Sequence, residues 1–125
     1  MKNALLKIGG VEAEVSPVVA CESEYGYRNK LQIPVGVDAN GRTALGFYAE
    51  RSHRLVPAEK CYIHPAWAED LMAAFREYIA VSGAKGYDER TKKGLLRHLV
   101  AREIDGKLLV TVVATARKLP CEAWL

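Results

Sequence analysis

Tyr25-Gly26-Tyr27-Arg28-Asn29-Lys30-Leu31-Gln32-Ile33-Pro34-Val35-Gly36 is the stretch on which the reading of the fold turns. Leu31, Ile33, Val35 and Val37 recur with period 2, while Arg28, Lys30 and Gln32 fall on the opposite side, so the segment predicts a half-buried strand. One of its faces is spent on two long cations and an amide, a composition suited to holding an anionic polymer. The strand is expected to run from Arg28 to Asp38. Asn40-Gly41 then supplies a turn in which positive φ is cheap, and a partner strand follows from Arg42 to Ala49, with Leu45 and Phe47 on one face.

Working outward, His53 to Pro57 predicts a short third strand. Pro65, preceded by His64, suits the first turn of a helix. Ala68, Leu71, Met72, Phe75, Tyr78 and Ile79 keep the 3,4 spacing of a helix with one apolar face, and Gly83 closes it. Lys85 to Lys93 reads as a charged loop. Leu95 to Ile104 and Lys107 to Thr115 form a second hairpin across Asp105-Gly106. The order β-β-(β)-α-β-β predicts an α+β fold, an antiparallel sheet of two hairpins with a helix packed on one face.

The chain has 125 residues, half of them hydrophobic, with 18 Lys+Arg against 15 Asp+Glu. That supports one domain with a core, and its mild positive charge permits a nucleic-acid partner without requiring one. No apolar run reaches the length of a bilayer span, and the N-terminus lacks the pattern of a signal peptide, so no membrane partner and a cytoplasmic location are expected. Residues 1–9 read as the end of a helix stopped at Gly9-Gly10, and 117–125 as a segment that Pro120 would lead into a further element. Both ends are expected to be cuts through a larger protein. Cys21, Cys61 and Cys121 are scattered and odd in number, which argues against a disulfide framework.

No Gly-rich phosphate loop follows a strand, and neither a Ser elbow nor a paired-His metal helix is present. His53, His64 and His98 are far apart in sequence and are expected to be structural or surface groups. Cys61-Tyr62-Ile63-His64 has the gap of half a zinc site but lacks a second pair. For nucleic acid the candidates are Arg28, Lys30 and Gln32 on one strand face. Arg42, Arg51, His53 and Arg54 lie in or after the partner strand, and Arg97, His98 and Arg102 recur in the second hairpin. Tyr25, Tyr27 and Tyr48 are possible stacking platforms. The same residues also fit the solvated outer faces of amphipathic strands, and composition does not separate the two.

Tyr27 to Gly36 is the first of an ordered series of motifs. Gly46-Phe47-Tyr48 follows, with Ser52-His53 and Val56. Then come Cys61-Tyr62-Ile63-His64-Pro65, Gly94-Leu95-Leu96-Arg97-His98-Leu99-Val100-Ala101-Arg102, and Val110-Thr111-Val112-Val113. Each is modest alone. In this order and spacing, over about Ile8 to Pro120, the series resembles the central domain of the bacterial 23S rRNA (uracil-5-)-methyltransferases.

That resemblance implies a three-part enzyme. Its N-terminal part would be an OB-like RNA-binding domain, its central part a domain with an iron–sulfur cluster, and its C-terminal part an S-adenosylmethionine-dependent domain. The last would hold the cysteine that attacks C6 of a flipped uracil. Residues 1–125 would be the central domain, with 1–9 ending a preceding helix and 117–125 beginning a linker. No catalytic residue carries over, Cys121 falling in the linker, so this segment alone is expected to be inactive. Cys61 would be the fourth ligand of a 4Fe-4S cluster, metal-binding only in the full-length protein. The first three ligands would precede Met1, and Cys21 lies where the family places none. No cofactor is expected in the segment itself, with S-adenosylmethionine in the whole enzyme. The RNA-binding residues are expected to be Arg28, Lys30, Gln32, Arg97 and His98. The partners would be 23S rRNA and the flanking domains of the same polypeptide. The alternative is a scaffold that carries one cluster ligand and spaces those domains, without touching RNA.

Overall fold

The computed structural model describes residues 1–124. Five strands form one antiparallel sheet: β1 (Lys30–Val37), β2 (Thr43–Tyr48), β3 (Leu55–Pro57), β4 (Leu96–Ile104) and β5 (Lys107–Ala114), in spatial order β3-β2-β1-β4-β5. Two α-helices accompany them among the described residues, α1 (Lys2–Lys7) and α2 (Ala66–Ser82), with a short 3-10 helix over Glu122–Trp124. The α+β architecture, the two hairpins and the covering helix are as the sequence predicts.

The central strand is shared between two neighbours. Its first half, Lys30 to Pro34, pairs with Arg102 to His98 of β4; its last residues, Val35 to Val37, pair with Leu45 to Thr43 of β2. Period-2 alternation sends Leu31, Ile33 and Val35 to one side, where they are buried. There they meet Ala68, Met72, Phe75 and Tyr78 of α2, together with Leu96, Leu99 and Ala101 of β4. Burying each large apolar side chain of this set is worth about 1.5–3 kcal/mol.

The turns follow their residues. Asp105 and Gly106 both have positive φ, at 51° and 73°, the requirement of a type I′ hairpin whose twist matches its strands. In the first hairpin only Gly41 uses positive φ (77°). The Asp38 carboxylate closes that loop by accepting the N–H groups of Asn40 and Arg42. Gly83 ends α2 in the left-handed conformation, its N–H donating to Ile79 O.

Several boundaries differ from expectation. β1 begins at Lys30 rather than at Arg28, whose N–H donates to Ile63 O, 3.1 Å away in the loop before α2. Pro65 is the residue that caps α2 in extended conformation rather than a member of its first turn. β3 begins at Leu55, two residues after His53.

The segment read as a charged loop is structured. Gly86 bridges Leu96 in parallel, Asp88 bridges Lys93, and the Tyr87 N–H donates to Leu96 O at 2.7 Å. Close backbone approach explains its glycines. A Cβ on Gly86 would collide with the Gly36 carbonyl, and one on Gly94, which has φ of 119°, with the Gly86 carbonyl.

α1 buries none of its residues. β5 closes the sheet as an edge with Leu108, Leu109, Val110 and Val113 all exposed. Among the described residues no helix is long and apolar enough to cross a membrane.

Candidate nucleic-acid interface

Directly opposed residues of an antiparallel ladder point to the same side. Lys30 faces Arg102, Gln32 faces Val100 and Pro34 faces His98. β5 continues the row with Leu109, Thr111 and Val113. These residues line the side of the sheet turned away from α2, and Lys30, Gln32 and Arg102 are exposed there.

The Lys30–Arg102 pair belongs to the closer class of cross-strand pair. The Glu103 N–H donates to Asn29 O at 2.9 Å, which marks 29/103 as a hydrogen-bonded pair. Lys30/Arg102 is therefore a non-hydrogen-bonded pair, the kind whose Cα atoms stand only about 4.5 Å apart. Like charges directly opposed destabilise a sheet. Neither cation has an ion-pair partner among the described residues. The nearest carboxylate in sequence, Glu103, alternates to the helix side and accepts the Trp67 indole N–H at 2.8 Å.

The Lys30 backbone is held from below. In a non-hydrogen-bonded pair its C=O points away from β4, and β2 does not extend far enough to meet it. His64, 7% exposed, fills the gap with Nε2 3.0 Å from Lys30 O. The carbonyl can only accept, so Nε2–H donates to it, and Nδ1 is buried without a protein partner.

The five residues singled out from sequence do not form one cluster. Lys30, Gln32 and His98 share the open face. Arg28 is exposed ahead of β1. Arg97 sits where the β4–β5 register shifts. Its guanidinium lies 4.6 Å from the Tyr87 ring centroid and 3.9 Å from Glu89. The local twist of a bulge re-aims a side chain in this way.

Arg102 takes the central place beside Lys30. The cross-strand register, fixed by the Asp105-Gly106 turn together with the β1–β4 pairing, is what brings it there. The sequence passes over Tyr87 and Glu89; the Gly86 and Gly94 pair flanking them is the signal of close backbone approach.

At the far end of the same face the sheet rises into a cleft of about 460 Å³, lined by Tyr48, His53, Arg54, Tyr87, Glu89 and Arg90 among others. Gly36 adjoins three of the lining residues: a Cβ there would touch Tyr87 O, the Leu55 side chain and the Tyr48 hydroxyl. His53 Nδ1 is 3.3 Å from Glu89. Burial, and then the Glu89 carboxylate, push the Tyr48 hydroxyl above the usual phenol range, so it stays a donor. The Arg90 backbone N–H, followed by the Thr91 hydroxyl, holds Asp88 below the usual carboxylate range.

The chain's own residues do not fit an iron–sulfur cluster. Among the described residues no three His, Cys, Asp or Glu side chains stand close enough together to hold a metal ion. Cys61 is half-buried, and Cys21 and Cys121 are exposed. A four-thiolate cluster needs four converging sulfurs.

No protein-family model matches the chain. In sequence it is 37% identical over 122 residues to an uncharacterized RNA methyltransferase of Clostridium tetani, covering 96% of this chain and 26% of that protein. It is 40% identical over 122 residues to an uncharacterized RNA methyltransferase of Gloeobacter violaceus, covering 95% and 27%. The chain thus spans about a quarter of the length of the curated relatives it matches. In structure it resembles part of the Pyrococcus abyssi tRNA (uracil-54, C5)-methyltransferase, solved in complex with S-adenosyl-L-homocysteine. The TM-score is 0.73 with 21% identity, over 99% of this chain and 30% of that one. The chain is homologous to one segment of proteins named as RNA methyltransferases, and that segment has the fold of part of a tRNA methyltransferase.

Proposed function

We propose that this chain is the RNA-gripping domain of a longer uracil-C5 methyltransferase acting on 23S rRNA in the cytoplasm. It would hold the RNA so that a target uridine reaches a neighbouring S-adenosylmethionine-dependent domain. The observation that carries this reading is the unneutralised Lys30–Arg102 pair on the open face of the sheet. Two cations held side by side cost stability unless an anion bridges them, and phosphate oxygens supply such an anion. Gln32 beside them is placed to bond sugar or base edges, and Arg28 extends the cationic row toward the loop at Ile63. The names and identities of the relatives support RNA as the partner.

The chain's part is binding and positioning, and no residue of it is assigned to methyl transfer. In the longer protein Cys61 would contribute one cluster ligand, with the others supplied from outside this chain.

Binding of an rRNA hairpin by this chain should be weak and steeply salt-dependent. Arg28→Ala with Lys30→Ala should weaken it further at low salt. Unchanged binding by that double variant overturns the assignment. The exposed apolar residues of β5 favour a second reading, a scaffold that packs against flanking domains. That reading stands if the cation variants leave RNA binding intact while β5 variants such as Leu109→Ser disturb assembly of the longer protein.

A further inference from the structure

We propose that the cleft at the Gly36 end of the open face seats one unpaired nucleotide, its base against the Tyr48 and His53 rings and its N–H edge toward Glu89. This rests on the RNA-binding reading above and adds to it a second, chemically different subsite.

Position comes first. Lys30 and Gly36 lie on the same side of β1 by alternation, six residues apart and so about 20 Å along the strand. A single strand of RNA gripped at Lys30 and Arg102 and running along β1 arrives at the cleft. The opening, at about 460 Å³, falls within the ~300–1,000 Å³ typical of small-ligand sites.

The lining suits a base more than a phosphate. The Tyr48 and His53 rings stand 6.4 Å apart at 75°, so one ring presents its edge to the other's face and leaves flat surface for stacking. Tyr87 is already covered on one side by the Arg97 guanidinium and serves as a wall. Asp38 and Asp88 are occupied within their own turns, accepting from Asn40 and Arg42 and from Arg90 and Thr91.

Glu89 is different. It touches His53 at 3.3 Å, and its other oxygen is 3.9 Å from Arg97, beyond hydrogen-bond reach. Lone pairs are therefore free to accept from a ligand. A carboxylate repels phosphate and attracts the N–H groups of a base edge. Arg54, exposed at the rim, and Arg90, only loosely paired to Asp88 at 3.9 Å, are the cations available to the phosphates on either side.

The experiment measures binding of a single-stranded RNA of about ten nucleotides, roughly one binding-site length. It compares the native chain with His53→Ala, Glu89→Gln and the Lys30→Gln/Arg102→Gln double variant. A parallel titration follows the Tyr48 and Tyr87 NMR signals with uridine 5′-monophosphate, guanosine 5′-monophosphate and inorganic phosphate. His53 is mostly exposed and Glu89 caps no backbone group, so both single variants should keep the native melting temperature, which is checked first. Loss of one stacked base should weaken binding by about fivefold or more with the salt slope unchanged. The nucleotides should shift Tyr48 and Tyr87, and inorganic phosphate should not. If the double variant weakens RNA while His53→Ala and Glu89→Gln do not, the cleft proposal fails and the RNA-binding reading survives. Equal shifts from inorganic phosphate also overturn it. If the double variant binds as well as native, the underlying RNA-binding reading fails.

Discussion

Neutralising Lys30 and Arg102 together should make the protein slightly more stable and a distinctly poorer RNA binder. The register puts their Cα atoms in the closer class of cross-strand pair, about 4.5 Å apart. If the side chains splay until their charges stand about 6 Å apart in water, Coulomb's law gives about 0.7 kcal/mol of repulsion. A Debye length of about 8 Å at physiological salt halves that. Lys30→Gln with Arg102→Gln should therefore gain about 0.3 kcal/mol, a rise of about 1–2 °C in melting temperature for a domain of this size.

The binding arm moves the other way and further. Each phosphate contact to single-stranded RNA contributes about −0.7 to the slope of log K against log salt, so losing two should flatten the slope by about 1.4. Between about 50 and 200 mM salt, the native chain should then lose about sevenfold more affinity than the double variant. Fluorescence anisotropy at several salt concentrations, beside thermal melts, reads both arms. Identical slopes would refute phosphate contact at this pair. A melting temperature several degrees below native would refute the claim that the pair is an unrelieved repulsion, because it would mean these side chains support the sheet.

Three further outcomes test the frame that holds this face. Tyr78→Phe removes a hydroxyl that donates to Pro120 O at 2.9 Å from a fully buried ring, and chemical denaturation should show a loss of about 1–2 kcal/mol. Gly94→Ala forces a Cβ into the Gly86 carbonyl at φ of 119°, so the segment around Tyr87 should detach from β4 and its amides exchange quickly while those of β1 stay protected. Asp88→Asn should destabilise the protein at neutral pH. Because the folded carboxyl lies below its ordinary range, its contribution is present above the unfolded value and disappears as pH falls through the folded one. Melts should therefore separate the two proteins at pH 7 and bring them together only at pH values below the ordinary carboxylate range.

What could be read in advance divides along a physical line. The alternation of Leu31, Ile33 and Val35 and the 3,4 spacing of α2 are one-dimensional signals. The Asp105-Gly106 turn carries its own backbone requirement. Together they were enough for the sheet, the hairpins and the helix. The Lys30–Arg102 contact depends instead on register between β1 and β4, two strands separated by about half the chain, and a slip of one residue would have put Glu103 or Ala101 opposite Lys30.

Tyr87 and Glu89 were hidden for a related reason. Their segment carries no periodicity, and it is ordered by contacts that periodicity does not report: the bridges to Leu96 and Lys93 and the bond from the Gly86 N–H to the Thr43 hydroxyl. Arg97 shows the limit most plainly. Its place between Leu96 and His98 suggested a regular strand face, yet the register shift there turns it onto Tyr87 and Glu89. A cation expected from the sequence to bind RNA thus lies over the Tyr87 ring, beside Glu89. Arg97→Gln should then leave the salt slope of RNA binding unchanged while loosening Tyr87, a separation that cation counts along the sequence would not foresee.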